Sequence, residues 1–116
     1  MSNYHEPAEE LPQEARDFSR ALNSLKEEIE AVDWYHQRVV TSQNAELAKI
    51  LAHNRDEEIE HACMAIEWLR KNMPGWDAEL RKYLFKEGSL FAEEGDDPQN
   101  DTTPATDSLG IGKINK

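Results

Sequence analysis

Two stretches of this chain repeat apolar residues at alternating steps of four and three, and both repeats are interrupted by side chains able to ligate a metal. In the first, Ala21, Leu25, Glu28, Val32 and Tyr35 form the row. In the second, Leu47, Leu51, Asn54, Glu58, His61, Ala65 and Trp68 keep the same alternation. This is the seam spacing of packed helices, so the pattern predicts two long α-helices, over 13–41 and 45–71. In the first, Phe18, Leu22, Leu25, Ile29 and Val32 make a second apolar row. Thr41-Ser42-Gln43-Asn44 supplies a short polar turn with cap residues, which makes the two helices antiparallel neighbours. Asn72-Met73-Pro74-Gly75 stops the second helix. A shorter third helix, about 76–85, carries Trp76, Leu80, Tyr83 and Leu84 on one side, expected to pack against the long hairpin rather than to hold a cofactor. The fold class is all-α.

The interruptions carry the chemistry. Glu58 and His61 are three residues apart, roughly 300° of helical turn, so both project from nearly the same face. A carboxylate and an imidazole thus stand where the pattern asks for leucine, and Glu28 does the same on the first helix. An unpaired buried carboxylate is costly enough to neutralise or to recruit a cation. Four-helix di-metal carboxylate centres use a Glu from each of two helices and a Glu-x-x-His from each of the other two. This chain holds half of that set, and a two-fold dimer would supply the rest. The expectation is a di-iron centre across a homodimer interface that completes a four-helix bundle, with Glu58 bridging, Glu28 terminal and His61 capping each iron. Carboxylate and imidazole donors suit Fe(II) and leave positions open for dioxygen. The plain alternative is that Glu58, His61 and Asn54 hydrogen-bond across an interface without metal.

At 116 residues the chain is one domain at most, and two long helices with a short third bury little core alone, which favours oligomerisation. A net charge of -11 argues against nucleic acid and anionic membrane surfaces as partners, and most of it is solvated surface. Cys63 is the one cysteine, expected as a small buried hydrophobe; it implies no oxidising compartment. No apolar run approaches a membrane span and the N-terminus lacks a signal pattern, so the expected location is cytoplasmic. Residues 1–12 read as an irregular arm and 13–94 as the helical domain. Gly95 to Asp107 has no apolar period and is expected to be a disordered linker. In 108–116 aliphatic residues return between glycines and lysines, the pattern of a docking peptide on a flexible tether.

Three segments together resemble the encapsulated ferritins, ferritin-like ferroxidases packaged inside encapsulin shells. They are Glu27-Glu28-Ile29-Glu30-Ala31-Val32-Asp33-Trp34-Tyr35, Leu51-Ala52-His53-Asn54-Arg55-Asp56-Glu57-Glu58-Ile59-Glu60-His61-Ala62, and the tail Leu109-Gly110-Ile111-Gly112-Lys113-Ile114. The resemblance implies a ferritin-like half-bundle whose dimers assemble into a ring, a decamer. It implies oxidation of Fe(II) by dioxygen, for storage inside the shell, at ligands Glu28, Glu58 and His61 from both subunits. It also makes Glu27 and Glu30 an iron-attracting approach, puts Trp34 and Tyr35 beside the metals, and assigns Leu109, Gly110, Ile111, Gly112, Lys113 and Ile114 to docking on the shell wall. By position alone, Glu27 and Glu30 lie on the outward side, where glutamates are ordinarily solvated. Tyr35 falls on the Glu28 row and is better placed than Trp34, which is expected to pack. His53, one turn ahead of Glu57, reads as a surface histidine or a secondary metal contact. Two rivals stay open: a metal-free acidic helical interaction module with a partner-docking tail, and a di-metal peroxidase or catalase-like enzyme.

Overall fold

Helix α1 spans Gln13–Thr41, α2 spans Ala45–Asn72 and α3 spans Trp76–Tyr83 in a computed structural model that describes residues 4–91. One 3-10 turn, Ala8–Glu10, precedes them, and there is no strand among the described residues. The expected linker and docking tail fall outside this range, as do Met1–Asn3 of the arm and the last residues of the expected helical domain. None of the three helices is long and apolar enough to cross a membrane.

Local chemistry sets the boundaries. Arg16 reaches back from α1, its Nε donating to the Leu11 carbonyl at 3.0 Å and its Nη2 to the Ala8 carbonyl, which pins the N-terminal turn to the helix start. At the start of α2 the Asn44 side chain accepts from the Leu47 N–H at 2.8 Å, the N-cap bond that satisfies one of the helix's orphan donors. Gly75 follows α2 with φ +102°, a backbone that L-residues rarely adopt, so the turn into α3 needs glycine. The expectation that α3 would run to Phe85 is two residues too long. Phe85 itself takes φ +60°, a left-handed conformation that ends the helix behind it.

The two long helices run antiparallel. Phe18 meets Trp68 edge-to-face at 6.1 Å between ring centres, and His36 Nδ1 accepts from Arg55 Nη1 at 3.1 Å, so partners descend on α2 as α1 ascends. The buried cluster is Leu25, Ala62 and Leu69, with Ala21, Ala65, Ile66, Met73 and Trp76 packed against it. Leu69 is wholly buried.

That cluster corrects one expectation. The most buried residues of α2 are not on the row from Leu47 to Trp68 but on the row beginning one residue later, where Ala62 and Leu69 are buried and Ile66 and Met73 pack against them, although Ile59 on that row is 44 % exposed. Both rows have the four-three alternation. The second carries three alanines, and the wholly buried Leu69 and the buried Ala62 lie on it. The first row stays partly open in the single chain: Leu47 is 47 % and Trp68 38 % exposed. The same rotation overturns the expected burial of Cys63. It lies one residue past Ala62, a turn of about 100°, and is exposed.

Contacts divide the chain after Asp77, with the hairpin in the first unit and most of α3 in the second. Within the first unit, Arg70 links the end of α2 to Asp77. Its Nε and Nη2 donate to the two Glu67 oxygens at 2.7 and 2.8 Å, and its Nη1 donates to Asp77 Oδ1 at 2.6 Å. The hydrogen bond from Arg70 holds the Glu67 carboxyl below its ordinary value of 4.5, and the same pairing raises Arg70. A carboxyl depressed on folding stabilises above its unfolded pKa and loses that contribution as pH falls through the folded one. Arg70→Met therefore lowers the melting temperature modestly at neutral pH, since the group is solvent-screened. The difference from wild type narrows as pH drops below 4.5, which thermal melts across pH 3–7 check.

Candidate metal centre

Glu28 sits midway along α1, and Glu58 and His61 midway along α2, so the antiparallel pairing brings all three to one level of the hairpin. One ligand atom from each lies within 4.8 Å of the other two. Donors bound to one cation at ordinary metal–oxygen and metal–nitrogen lengths are separated by about 3–4.3 Å, so a small closing movement would seat an ion among them. His61 Nδ1 and Glu58 Oε1 are 3.5 Å apart, too long for a strong hydrogen bond and suitable for two ligands of one ion.

Glu28 decides whether the trio fits a cation. Its Oε1 is buried and has no hydrogen-bond partner. Leaving such an atom unsatisfied costs about 1–3 kcal/mol, and more when the group is charged. Among the described residues neither Glu28 nor Glu58 pairs with a lysine or arginine. Two carboxylates and one imidazole facing a common point, one oxygen orphaned, are a donor set that a divalent cation satisfies. The side chains of Glu58 and His61 remain 27 % and 46 % exposed, so one side of the group is open. That open side is the half-exposed row of α2.

The other sequence-singled residues are not gathered into this group. Glu27 and Glu30 are exposed on a different face of α1. Tyr35 is half-buried on the Glu28 row, seven residues on, about 10 Å along the axis, with the Arg38 guanidinium 5.1 Å from its ring centre. Trp34, expected to pack, is 51 % exposed in the single chain. His53 pairs with Glu57 at 3.0 Å on the solvent side. Glu28, Glu58 and His61 are the one such cluster of potential metal ligands among the described residues. Asn54 is the residue the sequence placed on the row without giving it a role in a centre; it is half-buried, and its side chain makes no hydrogen bond to a described residue.

An all-α hairpin that presents carboxylates and a histidine from its two long helices at one point is a ferritin-like half-bundle. The chain belongs to the EncFtn-like family, whose model matches residues 3–87. It is 58 % identical to a ferritin-like protein of Thermotoga maritima, over 96 % of each chain. It is 49 % identical to an encapsulated ferritin-like protein of Rhodospirillum rubrum, over 95 % of this chain and 86 % of that one. Among solved structures it is similar to protein ne0167 from Nitrosomonas europaea, with a TM-score of 0.73 and 53 % identity, covering 76 % of this chain and 97 % of the other.

Proposed function

We propose that the chain is a ferroxidase that oxidises Fe(II) to Fe(III) with dioxygen at a di-iron site shared across a homodimer interface, and that it delivers iron for storage inside an encapsulin shell. The observation that carries this is the Glu28, Glu58 and His61 cluster with its orphaned buried carboxylate oxygen. Three donors from one chain fill half of a two-metal carboxylate centre, and a second copy related by a two-fold axis brings the same three. In this arrangement Glu58 bridges, Glu28 is terminal and His61 caps. Iron is the substrate: two Fe(II) ions would each give up one electron, and dioxygen would take both together with two protons from solvent and leave as hydrogen peroxide. The protein contributes placement, charge balance and partial exclusion of water. Glu27 and Glu30, an exposed acidic pair on one face, would attract incoming cations, and Tyr35 stands two turns further along the Glu28 row of α1. The likeness to an encapsulated ferritin-like protein of Rhodospirillum rubrum supports the shell as the destination, and the half-set of ligands in one chain supports assembly through dimers, with a decameric ring of dimers as the proposed assembly.

Anaerobic titration with Fe(II), then admission of air while near-ultraviolet absorbance is followed, tests the reading. Saturation near one iron per chain, then rapid oxidation above the rate in buffer, is expected. Absence of stoichiometric binding would leave a helical scaffold and return the metal-free interaction module. Running the same titration with hydrogen peroxide in place of air separates ferroxidase from peroxidase chemistry.

The tail supplies an independent expectation. Deleting 108–116 leaves iron oxidation intact and abolishes loading when the chain is co-expressed with its shell protein. Full-stoichiometry loading of the truncated chain would remove the docking role.

A further inference from the structure

Asn54 stands one helical turn before Glu58 on the half-exposed row of α2. Helical packing alone prefers a leucine there: the row reads Leu47, Leu51, Asn54, and asparagine has poor helix propensity and an amide that is costly to bury unsatisfied. Its side chain is half-buried, and its carboxamide makes no hydrogen bond to a described residue. The amide is thus available to a partner on the same face of α2.

Glu58 is the acceptor within reach. Residues four apart on a helix have their Cβ atoms about 5–6 Å apart, and helical side chains lean toward the N-terminus, which lays the Glu58 carboxylate over the turn that Asn54 occupies. A carboxylate has about four acceptor sites, so it can ligate a metal and still accept an N–H. One Glu58 oxygen, Oε1, stands 3.5 Å from His61 Nδ1. Two rotatable orientations are thus available to the carboxylate, and an amide donor beneath it selects one. A neutral donor suits this position better than lysine or arginine, whose charge would compete with the cation for the carboxylate.

We propose that Asn54 is a positioning residue of the metal centre, its carboxamide N–H donating to the Glu58 carboxylate and fixing the orientation in which Glu58 takes a divalent cation. The inference rests on the metal reading of the Glu28, Glu58 and His61 cluster. Partners of this kind, one step removed from the metal, typically contribute about 10–100-fold in affinity.

The test is titration of the full-length chain with Co(II), read by visible absorption and by competition for affinity, on wild type, Asn54→Leu and Asn54→Gln. Asn54→Leu completes the apolar row, so its melting temperature without metal is expected to equal or exceed wild type. Its Co(II) affinity is expected to fall at least about tenfold, with a changed visible spectrum. Asn54→Gln keeps a donor on a longer arm and recovers most of the affinity. Co(II) binding by Asn54→Leu with wild-type affinity and spectrum would overturn the proposal. So would an equal loss in Asn54→Gln, which would point to shape rather than to the donor. If wild type itself binds no Co(II) and no Fe(II), the metal reading fails and takes this role with it; binding by wild type with no effect of Asn54 removes the positioning role alone.

Discussion

Glu28→Ala and His61→Ala each reduce iron oxidation to the rate of Fe(II) in buffer, yet neither is expected to unfold the chain. The two outcomes separate a ligand from a structural residue. Glu28 Oε1 is buried without a partner, so in the metal-free protein it is a destabilising element of about 1–3 kcal/mol rather than a supporting one. Removing it relieves that cost while leaving a gap where the side chain packed, and the metal-free melting temperature is expected to stay level or to rise by a few degrees. A residue present only for packing or for a register-setting hydrogen bond would behave in the opposite way. His61 is nearly half exposed in the single chain, so its truncation disturbs little of the hairpin core of Leu25, Ala62 and Leu69. Its loss removes the one nitrogen donor of the cluster, and a site left with carboxylates alone shifts toward harder cations. Stopped-flow absorbance after mixing anaerobic Fe(II)-protein with air checks both variants, with thermal melts of the metal-free forms alongside. Wild-type oxidation in either variant would sink the assignment of these ligands.

How the centre became legible in the sequence is a matter of period. A four-three row needs only apolar spacing to be seen, and it placed Glu28, Glu58 and His61 on helix faces before any contact was known. The break at Pro74-Gly75 and the cap at Asn44 set helix ends because they act through local backbone chemistry. What could not be read was the choice between two rows on α2. The Leu47 to Trp68 row and the Ala48 to Met73 row are offset by one residue, and which of them meets α1 depends on how closely α1 approaches, a tertiary property. That single rotation accounts for the exposure of Cys63 and for the open side of the Glu58 and His61 pair. The early end of α3 has a different source: Phe85 adopts a left-handed backbone where a glycine would have announced it. Trp34 was expected to pack and is half exposed in a single chain. Any burial it gains lies outside the single chain.

The open row on α2 sets up the second large effect: Fe(II) drives the chain from smaller to larger assemblies, and a chelator reverses the shift. Leu22, Ile29, Leu47 and Trp68 remain more than a third exposed, so some association is expected without metal. Metal then adds a bridge. An ion held by ligands from two chains binds the dimer and not the monomer, and stabilises it by mass action: at free metal a hundred times its dissociation constant the gain is about 2.7 kcal/mol per site. That corresponds to about a hundredfold tighter dimer for each ion bound. Sedimentation velocity under anaerobic conditions, at protein concentrations near the metal-free dissociation midpoint, with saturating Fe(II) and again after adding chelator, gives the direct measurement. His61→Ala supplies the internal control. It keeps the apolar row and hence the metal-free association, but the Fe(II)-dependent shift should vanish. If wild type binds iron stoichiometrically while its size distribution stays fixed, the ions are held within single chains and the shared centre is wrong. If His61→Ala shifts with iron as wild type does, the bridge runs through other acidic residues, and Glu27 and Glu30 on the exposed face of α1 become the first to mutate.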